Sequence, residues 1–531
     1  SRREPAMSVF LLFLFLFLHL QLVVAVEMLN PEVVVPSGYT KLRSSKASSL
    51  YQVELPSPPT SGFGYATPPL LVDLRGTHKQ IGFDYASLLH NETSDTFTTF
   101  QATFGLKPQQ LDELNGFIDW LWTRLLEPHT PQPFLDELEG MRQYHLQHGS
   151  TDLVDSNVVA RRFYVLANMP ADAKNIIAML ENDLEEGWPE WLKKTINWII
   201  EQLEKLNMGC DAFGVWGSRT ANSLLFTSRN LDYNSNTGIN KHKLVTFISL
   251  QDPKYYSQTG GVPKGGKHVT MGFAFGLGAL AGQNALGVTT SEMNLDNSVV
   301  TFQGVPFPAR LRYVLQQSTD LSEAMTTWDA TNNTNSFNFM IGSATDSAAY
   351  ALETIRGFTA HFGANDPIEQ NAVYNCTSDP TCSKWTNGTG LVRIGKPLPE
   401  AVFRSNHGFH PRVMKTQEPL FRDTVSRYDR MHDLFAGLQS ENIAIDDKEA
   451  LGVVASLGTK GGPNPFVCDA SQFSDGENVM SIVYAPGLRK EVVDGSQGYF
   501  FVAWESGSGS AWRPAACSRY VRFALSQHGS N

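Results

Sequence analysis

The hydrophobic pattern changes its period once, near residue 208, and this limits the folds open to the chain more than any other feature. From about Lys107 to Leu206 the apolar residues recur at helical spacing. Leu192, Ile196, Ile199, Leu203 and Leu206 form one stripe, and Pro189 sits just inside its start, where a missing N–H costs nothing. Trp188, Trp191 and Trp198 add aromatic bulk, and the stripe reads as a core-facing amphipathic helix, with transient contact to a lipid surface as its other use. From Cys210 onward the text breaks into short β-rich runs punctuated by Gly, Asn and Asp. These are Ser223–Thr227, Lys243–Leu250, Val269–Phe275, Leu286–Thr290, Asn338–Gly342, Ala348–Glu353, Val479–Tyr484 and Tyr499–Trp504. Helical patterns return at Pro308–Asp329 and Val425–Gln439. Neighbouring strands with grouped helices predict an α+β layered fold rather than alternating βαβ units. The Ser/Pro-rich stretch from Ser44 to Pro69 reads as a loop or extended arm.

Residues 1–25 are expected to stay out of that fold. Arg2 and Arg3 precede an apolar run from Val9 to Leu18, and the small residue Ala25 follows Val23. These are the parts of a secretory signal peptide, with Met7 as the expected initiator. His19 and Gln21 interrupt the run before it reaches the ~20 residues of a spanning helix. Glycosylation triplets at Asn91, Asn332, Asn375 and Asn387 agree with entry into the secretory route, so a secreted or lysosomal location is expected. An oxidising compartment leaves one of the five cysteines over. Cys376 and Cys382 are close in sequence and flanked by turn residues, which predicts a local disulfide. Cys468 and Cys517 are then expected to bridge the C-terminal region. Cys210 remains without an obvious partner, as a buried structural thiol or a reactive one.

Several function classes are disfavoured. Lys+Arg number 42 against 53 Asp+Glu, a net charge of −11, and no basic run carries interleaved aromatics. Nucleic acid is therefore not an expected partner. The Gly272–Gly282 stretch lacks the Gly-Lys-Ser/Thr of a phosphate loop; its glycines read as close strand packing or a substrate-lining bend. His407 and His410 lack a third ligand at a recognisable spacing, and Glu181, Asp183, Glu185 and Glu186 read as a solvated helix start. No metal and no cofactor is expected.

The chemistry concentrates at Met208-Gly209-Cys210-Asp211-Ala212-Phe213-Gly214, where helical texture gives way to strands, and at Ser228-Arg229-Asn230-Leu231-Asp232-Tyr233. A cysteine attacks as thiolate and needs a base and positive potential beside it. Cleavage between Gly209 and Cys210 would make the new α-amine that base, since its reference pKa of ~8 leaves a useful unprotonated fraction near neutrality. Asp232 is placed to orient the amine and Arg229 to favour the thiolate.

These two segments resemble the nucleophile region of the cysteine N-terminal-nucleophile amidohydrolases, a superfamily that includes penicillin V acylase, bile salt hydrolase, acid ceramidase and the N-acylethanolamine acid amidases. Leu74-Arg75-Gly76-Thr77-His78-Lys79-Gln80-Ile81-Gly82 resembles the start of the acyltransferase-type proenzymes, acyl-coenzyme A:6-aminopenicillanic-acid acyltransferase among them, and favours that branch. Gly282-Gln283-Asn284-Ala285-Leu286-Gly287-Val288 through Asn294 resembles the family's Gly-x-Asn-x-x-Gly strand pair. Arg404-Ser405-Asn406-His407-Gly408-Phe409 resembles its Thr/Ser-Asn-His/Tyr element, and Ser426-Arg427-Tyr428-Asp429-Arg430 its Ser-Arg-Phe-type motif. The matches fall in family order from Leu71 to Ser496. Two departures stand out: Asp211 follows the cysteine where many relatives carry Thr or Ser, and the spacing from Cys210 to Asp232 is a few residues longer than in several relatives.

The resemblance implies a four-layer αββα sandwich. It implies a mostly helical α-chain, 26–209, that is cut off but stays associated with a β-chain, 210–531. Cys210 would be the nucleophile, Asp232 the carboxylate holding its amine and Arg229 the neighbouring cation. Asn406 would be an oxyanion donor and Asn294 a second one. Arg427 would be a supporting arginine, a place that Arg430 also fits by motif. The implied reaction is hydrolysis or transfer of the acyl group of a linear non-peptide amide through an acyl-thioester, and the apolar, Trp-bearing stripe before Cys210 makes a fatty-acyl amide the preferred small-molecule substrate. The alternatives are transfer to an amine or peptide acceptor, a lysosomal phospholipase B-like esterase, and a non-catalytic secreted glycoprotein scaffold. Cys210→Ala is expected to leave an uncleaved, inactive chain; N-terminal sequencing that finds this mutant still cut after Gly209 would refute self-cleavage.

Overall fold

The computed structural model describes residues 28–57, 68–149, 153–169, 179–180, 208–234, 237–376, 390–417, 422–457, 478–487, 498–506 and 512–525. The expected signal peptide, the Leu192–Leu206 stripe with its tryptophans, the acidic cluster from Glu181, and Asn387, Cys382 and Cys468 lie outside these residues.

Two large sheets organise the described residues. One runs, edge to edge, through Val33–Val34, Tyr520–Ala524, Tyr499–Trp504, Asn478–Ala485, Phe226–Tyr233, Met208–Val215 and Ala401–Arg404. The other runs through Phe358–Phe362, Ala348–Ile355, Phe337–Ser343, Val288–Asn294, Ala281–Asn284, His268–Phe273, Lys243–Leu250, Leu70–Gly76, Ser48–Glu54 and Gly38–Ser45. Pairing is antiparallel except at Val33–Val34 with Tyr520–Val521, and at Leu70–Gly76 with Lys243–Leu250. The protein is thus α+β.

Strand alternation decides which residue faces which neighbour. In Lys243–Leu250, Val245 and Phe247 join Met480, Ile482 and Val502 of the seven-stranded sheet in a shared core. Their alternates Leu244 and Ile248 instead pack with Leu88 and Phe97 of the helix His78–Ala102. On the seven-stranded sheet, Phe213, Val215 and Phe403 share a core with Tyr428, Met431 and Phe435 of the helix Arg422–Ser440.

Several local expectations are corrected. The Ser44–Pro69 stretch is not simply an arm: Gly38–Ser45 and Ser48–Glu54 are paired strands, the serines having masked a strand whose Leu50 and Val53 face opposite cores. The segment before Gly209 therefore supplies strands as well as the helices His78–Ala102, Pro108–Leu121, Gln132–His148 and Ser156–Ala167. Ser223 does not open a strand, because it and Asn222 adopt left-handed φ values of 57° and 58°; pairing begins at Phe226. The single helix expected over Pro308–Asp329 is two, Phe307–Gln317 and Leu321–Asp329. Extended Asp320 separates them and caps the second by accepting from Glu323 N at 2.8 Å. Leu286 lies in a turn, where Asn284 Oδ1 accepts from Leu286 N and Val288 N, so the next strand starts at Val288.

A buried ionic network joins the two sides of Gly209. The helices His78–Ala102 and Gln132–His148 cross in backbone contact, since a Cβ at Gly82 would stand 1.8 Å from Glu137 O and one at Gly140 2.0 Å from Lys79 O. This seats Glu137 beside His78 Nδ1 (2.8 Å) and under Arg312 of the helix Phe307–Gln317, which pairs with it twice, at 2.7 and 2.8 Å. Burial pushes the Glu137 carboxyl up, and Arg312 and His78 outweigh it, leaving the group below its ordinary range. Removing one partner strands a buried charge, at a cost of about 3–5 kcal/mol. Glu137→Ala should therefore lower the denaturation midpoint markedly. The double change Glu137→Leu with Arg312→Met should recover much of the loss, a comparison made by parallel chemical denaturation.

Candidate active site

Register brings the expected residues together. Cys210 lies on Met208–Val215, opposite Leu231, with Gly209 opposite Asp232 and Asp211 opposite Asn230. On the other side, Ala401–Arg404 pairs with the same strand, Arg404 opposite Ala212, so the chain leaving it carries Asn406 back past Cys210. Cys210 is a free, buried thiol, whereas Cys376 and Cys517 are disulfide-bonded. Of the asparagines in the acceptor triplets, Asn91, Asn332 and Asn375 are exposed.

Asn406 is held from every side. Its backbone N donates to Thr424 Oγ1 at 2.8 Å, and its Nδ2 to Asn294 O at 2.7 Å. Its Oδ1 accepts from Cys210 N at 2.8 Å and from Arg427 Nη2 at 2.7 Å. Arg427 Nη1 also donates to the Cys210 carbonyl, and the guanidinium pairs with Asp423 at 3.1 Å and Asp211 at 3.5 Å. Arg427 thus occupies the site; Arg430, one turn on, is half-buried. Beneath the loop, Glu353 accepts from the backbone of Phe409 and His410. His407 contacts Ser405 and Thr424, and burial, with Arg404 and Arg427, pushes it down to about 3, so its ring is neutral.

Arg229 Nη2 lies 3.7 Å from Cys210 Sγ and 2.7 Å from Glu292 Oε2. Its Nε and Nη1 have no hydrogen-bond partner among the described residues. Burial pushes the Cys210 thiol up to about 12; Arg229 opposes this, Glu292 and Asp232 add to it, and a hydrogen bond from the Asn294 backbone opposes it again. In the continuous chain the thiol is therefore protonated near neutrality. Asp232 accepts from Asn478 Nδ2 at 3.0 Å, and the Asn294 side chain donates to Asp296 at 2.9 Å.

Glu292, Thr424 and Asn478 escaped the sequence reading. Glu292 had a signal, a single acidic residue inside the otherwise uncharged run Val288–Asn294, which the structure buries along its whole length. Thr424 and Asn478 had none, since each acts through a partner remote in sequence.

Cys210, Arg229, Glu292 and Asn294 form the polar end of a pocket that is otherwise apolar, apart from Tyr233. Its wall comes from both sides of Gly209, with Phe100, Phe163 and Met169 before it and Phe275, Phe307 and Phe337 after it. Such a site can place a thiol against the carbonyl of a molecule with a large apolar group.

No protein-family model and no curated protein sequence matches the chain. Among solved structures it is similar to a Caenorhabditis elegans ortholog of N-acylethanolamine-hydrolyzing acid amidase, at 13% identity and a TM-score of 0.32, covering 54% of this chain and 96% of that one. It is also similar to conjugated bile acid hydrolase from Clostridium perfringens in two mutant forms. One has 15% identity and a TM-score of 0.31, covering 55% of this chain and 89% of that one. The other has 12% and 0.33, covering 60% and 93%.

Asp211 offers a pH test. Burial pushes its carboxyl up to about 8; Arg427 opposes this and Asp232 adds to it. An unfolded aspartate titrates near ~3.9. The stability held by the protonated native form is therefore complete below about 4 and is lost as pH rises towards about 8. Asp211→Asn should match the parent near pH ~4 and unfold at a higher temperature near pH ~8, as read by thermal melts across that range.

Proposed function

We propose that the chain is a self-processing cysteine N-terminal-nucleophile amidohydrolase of the secretory or lysosomal route that cleaves linear amides of an apolar acyl group. The carrying observation is the free Cys210 thiol beside Arg229 at the polar end of an apolar pocket, with its backbone nitrogen held on Asn406. The order helix, sheet, sheet, helix implied by the three shared cores supports the αββα sandwich.

Activation begins with the Cys210 thiol attacking the Gly209 carbonyl. The Gly209 C–N bond breaks, a thioester forms on Sγ, and the thiol proton passes to the released amine. Water then splits the thioester into a Gly209 carboxylate and a free thiol. In the mature enzyme the α-amine takes the thiol proton, and the thiolate attacks the substrate amide. The proton is delivered to the leaving amine and an acyl-thioester remains, which water hydrolyses to the free acid. Asn406 Nδ2 spends one hydrogen on Asn294 O, leaving the second for an oxyanion, and the unpartnered Arg229 nitrogens are further donors beside Sγ.

Protein from a secretory host should give two fragments on a reducing gel, one beginning Cys210-Asp211-Ala212, and should hydrolyse fatty-acyl amides. Asn406→Ala should lower kcat roughly 100- to 1000-fold. A stable single chain at both neutral and acidic pH would overturn the reading in favour of a non-catalytic scaffold.

A further inference from the structure

Next to the pocket at Cys210 lies a second, smaller cavity, lined by Leu244, Thr246, Thr270 and Phe273. Phe163, Ile239, Phe275 and Leu280 border both spaces and form the wall between them. Phe275 is pinned in that wall by Phe97, Phe100 and Phe163, whose ring centroids lie 5.9, 5.5 and 5.3 Å away. Phe163 is placed differently. It projects from the helix Ser156–Ala167, and its ring lies against Gly276 and Gly278, where an added Cβ would stand 2.9 and 3.0 Å from ring carbons. The two glycines therefore put no side chain of their own against the ring. Removing the ring would take one of the four side chains out of that wall.

Resting on the amidohydrolase reading above, we propose that Phe163 sets the length of acyl chain the site accepts. A chain with its carbonyl at Cys210 Sγ runs through the first cavity and stops against the ring, and the second cavity is reached only when the ring is removed. The specificity element belongs to the segment before Gly209 and the nucleophile to the segment after it. Gly276 supports the ring from behind, so Ala at that position pushes the ring into the first cavity and shortens the acceptable chain.

The test uses the full-length chain with Cys210→Ala, which binds without turnover, and calorimetric titration with a graded series of straight-chain fatty acids. Affinity should rise about fourfold for each methylene added until the first cavity is full, and then level off. Adding Phe163→Ala should move the plateau to longer chains, Phe163→Leu should move it less far, and Gly276→Ala should move it to shorter ones. The same plateau in all variants that fold, or no binding by any of them, overturns the proposal. Hydrolysis of the matching acyl amides by the Cys210-containing forms separates the two claims. Shifted plateaus without hydrolysis would sink the amidohydrolase reading and keep the gate. Hydrolysis with an unmoved length optimum would do the reverse.

Discussion

The Arg229–Glu292 ion pair is the contact on which the candidate site depends. Arg229 is fully buried, and a guanidinium is tolerated there only with a counter-charge in hydrogen-bonding range. The two residues come from different sheets, Arg229 from Phe226–Tyr233 and Glu292 from Val288–Asn294. The pair therefore sets the approach of the sheets next to Cys210, and the apolar packing of Val245, Phe247, Ile482 and Val502 fixes that approach farther along. Electrostatics and packing agree at this point, so the thiol meets a cation whose position is determined by the packing of both sheets rather than by a mobile side chain.

The same burial that places the thiol also restrains it. In the continuous chain the Cys210 nitrogen is a peptide N–H donating to Asn406, and the buried thiol keeps its proton. On the proposed reading, breaking the Gly209–Cys210 bond turns that donor into an amine able to accept a proton at the place where the thiol must lose one. Activation then needs no large rearrangement, because Asn406, itself held by Thr424 and Arg427, already holds the nitrogen.

The two sides of Gly209 are interwoven. Leu70–Gly76 pairs in parallel with Lys243–Leu250, Glu137 is neutralised by Arg312, and the pocket wall draws aromatic rings from both. A cut at Gly209 would sever one bond and leave a shared sheet, a buried ion pair and a common core in place. Two chains produced by such a cut would have a physical basis for staying together, and the early segment is part of the pocket.

Local chemistry was legible in the sequence where one residue carried its own signal. The change of period at residue 208, the runs Lys243–Leu250 and Tyr499–Trp504, and the odd cysteine beside a glycine could all be read without a partner. The break at Asp320 and the pairing of the serine-rich strand Ser48–Glu54 could not, because caps and small inward residues leave little trace in hydrophobic periodicity. By itself the sequence determined the α+β texture and the identity of the candidate nucleophile. Only the tertiary structure decided what that thiol faces: Glu292 opposite Arg229, Asn406 on the Cys210 nitrogen, and Phe163 over Gly276. Those contacts join residues 63, 196 and about a hundred positions apart. They follow from strand register and sheet packing, which are set by the burial of the whole core and not by any local pattern.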